Sequence, residues 1–247
     1  MIESVNNEQI KEIRKLNDKK YRDETNLFLV EGDHLVKEAY KAGCLEKLIL
    51  TEDIYDFDVE KILVSDKVIK SISELNNTKV IGVCKKVSTN IDLSKNVVIL
   101  DGVQDPGNLG TIIRSCVAFN IENLVLSNDT VDLYNSKVLR STQGMNFHIN
   151  IVRDDLKNII SLLKDNNYTI YGTNVVNGID VKDVKNTDKY AIILGNEGNG
   201  ISDEISSLVD KNIHIKLLIL KLLHLNFHNY HSFLYKYSYL LMKIFHH

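Results

Sequence analysis

Residues 97–114 read Val-Val-Ile-Leu-Asp-Gly-Val-Gln-Asp-Pro-Gly-Asn-Leu-Gly-Thr-Ile-Ile-Arg. Four consecutive apolar residues, Val97 to Leu100, fit a strand buried on both faces. Asp105-Pro106-Gly107 is turn chemistry, and Pro106 is the single proline of the chain. Leu109, Ile112, Ile113 and Val117 then recur at helical spacing and predict a helix over 108–119. Strand, turn and helix in that order put the turn at the strand's C-terminal end, where open α/β sheets bind ligands. Asn108 stands near the start of the helix, and Arg114 lies six residues on. Both face one crevice only if the helix presents that side to it.

Working towards the C-terminus, strands are predicted at 124–126, 149–152, 169–172 and 190–194, with one more carrying Ile213 and Ile215. Helices are predicted at 137–143, 156–165 and 201–208. Such alternation argues for an α/β domain with a mostly parallel sheet. Working towards the N-terminus, residues 1–90 read as a smaller α/β domain. Ile10, Ile13 and Leu16 share a helical face, a basic run Lys19-Lys20-Tyr21-Arg22 follows, and a helix from Asp33 to Ala42 stops at Gly43. Short strands fit 48–50, 62–64 and 80–83. The polar stretch 85–96 is the linker, so the domains are 1–90 and 96–216, with 217–247 as a separate tail.

A second glycine-bearing loop, Leu194-Gly195-Asn196-Glu197-Gly198-Asn199-Gly200-Ile201-Ser202, follows another buried strand. Its glycines permit positive φ or close backbone approach. It lacks the Gly-Lys-Ser/Thr of a phosphate-binding loop and the spacing of a dinucleotide fingerprint, which disfavours a nucleotide-dependent oxidoreductase.

The formal net charge of −3 announces no global basic field, so any nucleic-acid contact must come from local clusters. Three scattered cysteines without a CxxC pair read as buried free thiols of a cytoplasmic protein. No metal is expected, and with no run of 18 apolar residues no membrane span is expected either.

Taken together, Asn108–Arg114 and Leu194–Ser202 resemble the first and second motifs of the SpoU (TrmH) class of SPOUT RNA methyltransferases. Between them, Leu139-Arg140-Ser141-Thr142-Gln143-Gly144 is similar to that family's RAS-x-G segment. Arg14-Lys15-Leu16, Lys19–Arg22 and Phe28–Gly32 are similar to its RNA-binding domain, which has a fold like ribosomal protein L30. The resemblance spans about residues 8–216. It implies an L30-like α/β domain followed by a SPOUT α/β domain with a trefoil knot, S-adenosyl-L-methionine as cofactor, and methylation of a ribose 2′-hydroxyl. The substrate implied is structured RNA, ribosomal rather than transfer RNA because of the separate N-terminal domain, and the assembly implied is a homodimer. It assigns Arg114, Asn108 and Glu197 to catalysis. Thr173, Leu194, Gly195, Gly198, Gly200, Ile215 and Leu217 are assigned to the cofactor, and Lys19, Lys20, Tyr21 and Arg22 to RNA. A guanidinium stays charged and is no ordinary base. Arg114 is therefore expected to stabilise a developing alkoxide and hold a phosphate, with Asn108 and Glu197 orienting the arrangement. Outside that context Asn108 would be a helix cap, Arg114 a surface residue and Glu197 a solvated loop carboxylate.

The chain departs from the family after Lys216, where a third motif of the form Ile-Pro-Met-x-Gly-x-x-x-Ser-Leu-Asn is expected. Residues 217–247 contain no Asp, Glu, Gly or Pro, but nine Leu and five of the eight His. The abrupt change reads as a reading-frame shift near codon 216, with natural divergence as the alternative. Either one predicts an incomplete knot and weak or absent cofactor binding by this polypeptide. Two further functions stay open: a non-catalytic RNA-binding protein with a defective methyltransferase domain, and a tRNA 2′-O-methyltransferase.

Overall fold

The computed structural model describes residues 1–174, 178–180, 183–184 and 188–214. Ile215, Leu217 and the rest of the 217–247 tail lie outside the described residues. Along the chain the first elements are α1 (Glu8–Lys15), α2 (Lys19–Thr25), β1 (Leu27–Glu31), α3 (Asp33–Lys41), β2 (Leu45–Leu50), β3 (Glu60–Leu63), α4 (Asp66–Ile72) and β4 (Val80–Lys85). There follow β5 (Val97–Leu100), α5 (Pro106–Ala118), β6 (Asn123–Leu126), α6 (Ser136–Thr142), β7 (Asn150–Arg153), α7 (Leu156–Asp165), β8 (Thr169–Thr173), β9 (Ile179–Asp180), β10 (Tyr190–Leu194), α8 (Asp203–Ser206) and β11 (Lys211–His214).

The first compact unit holds residues Met1–Ser88 together with Asp132–His148. Its sheet runs β1-β4-β2-β3, with β4 antiparallel to both neighbours and β3 parallel to β2. Strand side chains alternate between two buried faces. Leu29, Ile49, Ile81 and Val83 pack with Ile10, Ile13, Val68, Ile69 and Ile72 from α1 and α4. On the other face Phe28, Val30, Leu48 and Leu50 pack with Leu35, Val36 and Ala39 of α3 and with Leu139 of α6. The Phe28 ring lies 4.5 Å from that of Tyr134 and 6.5 Å from that of Phe147. This is why 132–148 sits in the first unit, although the chain reaches it between β6 and β7. The sequence reading kept it with residues 96–216, because apolar spacing tells that a helix is covered but not by which sheet.

The second unit takes residues 89–131 and the described residues from 149 to 214. Its strands are in the order β7-β6-β5-β10-β8-β11-β9, and every pairing is parallel. The expected α/β class holds. Val97–Leu100 and Ala191–Leu194 are essentially inaccessible, and Leu156, Ile159, Ile160 and Leu163 of α7 close one face over them. From β5 the chain lays β6 and β7 on one side and β8 to β11 on the other. The strand order thus reverses between β5 and β10, the position at which such sheets hold ligands.

Smaller differences have local causes. The helix expected at 201–208 is one turn, Asp203–Ser206, and the strand expected to carry Ile213 and Ile215 is described as Lys211–His214. Helices α2 and α4 were not predicted. Each is seven residues long, too short to display a periodic stripe. Among the described residues no helix is long and apolar enough to cross a membrane, and no group of three or more His, Cys, Asp or Glu is placed to hold a metal ion.

Candidate active site

Two loops meet at the C-terminal ends of β5 and β10. The first begins at Asp101, whose N–H donates to the Leu194 carbonyl at 2.9 Å. Gly102 follows at φ +71°, a conformation that disfavours any side chain. Asp105 is the N-cap of α5: its carboxylate accepts from the Asn108 N–H at 2.8 Å, and Pro106 fills the first helical turn, where a missing N–H costs nothing. The cap is therefore Asp105, which leaves the buried Asn108 side chain for another partner. That partner is Glu197. Asn108 Nδ2 donates to Glu197 Oε1 at 3.0 Å, and the same carboxylate accepts the N–H groups of Gln104 and Asp105 at 3.2 and 3.1 Å. A carboxylate is well suited to that place, because free N–H groups at a helix start carry partial positive charge.

The second loop closes on itself. Asn196 and Gly200 exchange backbone hydrogen bonds of 2.8 and 3.0 Å. A side chain on Gly195 would collide with the backbone of Gly200 and Ile201. Gly200 has φ +73°. Gly198 needs neither exemption: its nearest neighbour would be Asn196 Oδ1 at 3.6 Å, and its φ is ordinary. The three glycines thus do three different things. Leu194 and Gly195 are buried, while Gly198 and Gly200 are exposed. Thr173 is half-buried and donates its hydroxyl to the Ile193 carbonyl at 3.0 Å, tying β8 to β10.

Several residues that sequence reasoning passed over hold this arrangement. Asp101, 8 % exposed, accepts the Ser202 N–H at 2.7 Å. Asn196 spans the two loops, donating to the Gly102 carbonyl at 2.7 Å. On the far side of the first loop Ser127 Oγ accepts the Gly102 N–H at 2.9 Å, and Gln104 Nε2 donates to the Asp129 carbonyl. Arg153 in turn gathers the carbonyls of Ser127, Thr130 and Val131 at 2.6 to 2.7 Å. Asp105 was within reach of the sequence, since an acid before Pro-Gly and an apolar helix is a start signal. Arg153 was not, because nothing local distinguishes it from a surface arginine.

Arg114 is exposed on α5 and makes no hydrogen bond or ion pair with the described residues. Helix geometry sets it about 9 Å along the axis and about 120° around it from Asn108. Asn108 and Glu197 are thus brought together; Arg114 is not joined to them. Cys116, on the same helix, is fully buried, and burial pushes its thiol far up, so it is no nucleophile.

The basic run in the first unit is used differently from expectation. Arg22 is 6 % exposed. It donates to the Leu16 and Asn17 carbonyls at 2.9 and 2.8 Å and pairs with Asp132 at 2.7 Å, so its guanidinium is engaged within the protein as a buried clasp. Lys19 pairs with Asp23 at 2.5 Å, Lys20 lies 3.9 Å from Glu24, and Tyr21 donates to Glu12 at 2.5 Å. Lys19 first and Lys86 second hold the Asp23 carboxyl down at about 2.

Comparison with known proteins agrees with this geometry. Residues 95–219, about half of the chain, match the SpoU rRNA Methylase family. The chain belongs to that family. Residues 7–82 match the MRM3-like substrate binding domain, so a SpoU methylase domain follows a substrate-binding one. The chain is 35 % identical over 223 residues to the 23S rRNA (guanosine(2553)-2′-O)-methyltransferase RlmP of Bacillus subtilis (strain 168), covering 87 % of this chain and 90 % of that protein. The AdoMet-bound rRNA methyltransferase from Sinorhizobium meliloti superposes with a TM-score of 0.85 at 25 % identity, covering 98 % of this chain and 96 % of that one. The SpoU methyltransferase AviRb from Streptomyces viridochromogenes, at 19 % identity and a TM-score of 0.82, shares the fold over 97 % of each chain.

Proposed function

We propose that the protein transfers a methyl group from S-adenosyl-L-methionine to a ribose 2′-hydroxyl of structured RNA, with 23S ribosomal RNA as its substrate. The observation that carries this reading is the Glu197 carboxylate, which binds Gln104, Asp105 and Asn108 and so joins two distant loops at the switch point of a parallel sheet. The B. subtilis relative supports the choice of 23S RNA and of the 2′-position. The described residues fit the cofactor. The exposed backbone at Gly200 has open space around it, and an added Cβ at exposed Gly198 would meet only Asn196 Oδ1 at 3.6 Å, so a ligand can approach this loop closely.

When bound, S-adenosyl-L-methionine supplies an activated methyl on a sulfonium, so the protein's task is positioning more than acid chemistry. Asn108 and Glu197 fix the start of α5. Arg114, free of protein partners among the described residues, holds an RNA phosphate and stabilises charge developing on the ribose oxygen. Leu194 at the end of β10, Gly195, Gly198 and Gly200 in the loop after it, and Thr173 at the end of β8 would hold the cofactor. Lys19, Lys20 and Tyr21 contact RNA only after leaving their acidic neighbours. The active form is a cytoplasmic homodimer, a state that sedimentation measures.

The test is transfer of labelled methyl to 23S RNA. Arg114→Ala is expected to lower the rate about 100-fold, the usual loss when one charge-stabilising donor goes. Its fold stability should change by no more than about 0.5 kcal/mol, as for an exposed side chain. Transfer by that variant at the unaltered rate would sink the assignment, and methylation of tRNA in place of 23S RNA would redirect it. One feature favours a second reading, a non-catalytic RNA-binding protein: the third motif is absent from 217 onward. RNA binding with no transfer by the full chain supports that reading. Resequencing in which no shifted frame near codon 216 restores Pro-x-x-Gly and Ser-Leu-Asn would rule out the reading-frame shift and leave natural divergence.

A further inference from the structure

We infer that Asn196 is a positioning residue for the transfer, setting the width of the cleft between the two loops. The inference rests on the reading of that cleft as the methyl-transfer site. Both ends of the Asn196 amide are engaged. Oδ1 accepts the N–H groups of Gly198 and Asn199 at 2.9 and 3.1 Å, and Nδ2 donates to the Gly102 carbonyl at 2.7 Å. The partners fix the orientation, since a flipped amide would set its NH2 against two N–H donors and its oxygen against a carbonyl. One rigid planar group therefore folds the second loop and holds the first at a set distance. Glu197, the next residue, reaches Gln104, Asp105 and Asn108 only at that distance. Asp101 closes the other side through Ser202. Asn196 touches no reacting atom in this scheme; it acts through Glu197.

Asn196→Asp separates the two jobs. The carboxylate keeps an acceptor for Gly198 and Asn199 but turns an oxygen towards the Gly102 carbonyl, where the lone pairs repel. Protonation restores a donor there.

The experiment is amide hydrogen exchange on the full chain, with methyl transfer read in parallel. In the unaltered protein the amides of Gln104, Asp105, Gly198 and Asn199 are expected to be protected. In Asn196→Asp at pH 8, protection at Gln104 and Asp105 should fall at least tenfold while that at Gly198 and Asn199 persists. Asn196→Ala should lose protection at all four amides at every pH, and Asn199→Asp, at an exposed side chain, at none. Transfer by Asn196→Asp should show kcat reduced at least tenfold with KM for RNA within twofold. Protection at Gln104 and Asp105 that is indifferent to both Asn196 variants would overturn the inference, as would its absence in the unaltered protein. If the unaltered protein transfers no methyl group, the functional reading fails, and the exchange pattern still decides whether Asn196 spaces the loops.

Discussion

The cleft at β5 and β10 and the basic run on α2 were singled out by the same kind of sequence argument, and the structure treats them oppositely. In the cleft, residues 89 to 101 positions apart, such as Asn108 with Glu197 and Asp101 with Ser202, meet through directed hydrogen bonds. On α2 the side chains expected to face RNA are taken up by the protein: Arg22 by Asp132, Lys19 by Asp23, Tyr21 by Glu12. The difference teaches that a turn or glycine loop after a buried strand carries its geometry in its own backbone. A charged side chain on a short helix takes its role from whatever the fold brings beside it.

The largest expected effect tests the second half of that contrast. Arg22→Ala strands Asp132 and two carbonyls in a buried setting and should cost about 3–5 kcal/mol of stability, the usual loss when one member of a buried pair is removed. Chemical denaturation measures it. A variant as stable as the parent but deficient in RNA binding would return Arg22 to the RNA surface and break the comparison.

A middle effect sharpens the first half. Gly195→Ala drives a methyl group into the backbone of Gly200 and Ile201 and should destabilise by about 1–3 kcal/mol, as overpacking does. Gly198→Ala, with room and an ordinary φ, should change the melting temperature very little. Equal effects from the two would mean that the loop does not close as described.

The smallest effect concerns Asp23. Its carboxyl, held at about 2 by Lys19 and Lys86, contributes stability present above the ordinary value near 3.8 and lost as the pH falls towards 2. The pair is exposed, so the contribution is small. Lys19→Ala should move the carboxyl back up towards its ordinary value, read by NMR titration of the side-chain carbon. An unmoved titration would mean that Lys19 is free for another partner.

Much of the fold was legible before any coordinates. Val97–Leu100, Leu156–Asp165 and Tyr190–Leu194 coincide with predicted elements, because long apolar stripes and unbroken apolar runs state their own burial. The short helices α2 and α4 offered no such stripe. The placement of 132–148 failed for a different reason: Leu139 and Phe147 are apolar in either domain, and only packing against Phe28 chooses between them.

By itself the sequence determined that a parallel α/β unit follows a smaller one, and that two glycine-bearing turns end buried strands in it. Those properties follow from periodicity and from local φ preferences, which a short stretch of chain expresses alone. Tertiary structure decided that Asp105 and not Asn108 caps α5, that Glu197 is spent on three donors, and that Arg22 is a clasp while Arg114 stays open to solvent. Each of those outcomes depends on which partner lies within about 3 Å, the reach of a hydrogen bond, and that is set only when the whole chain has folded.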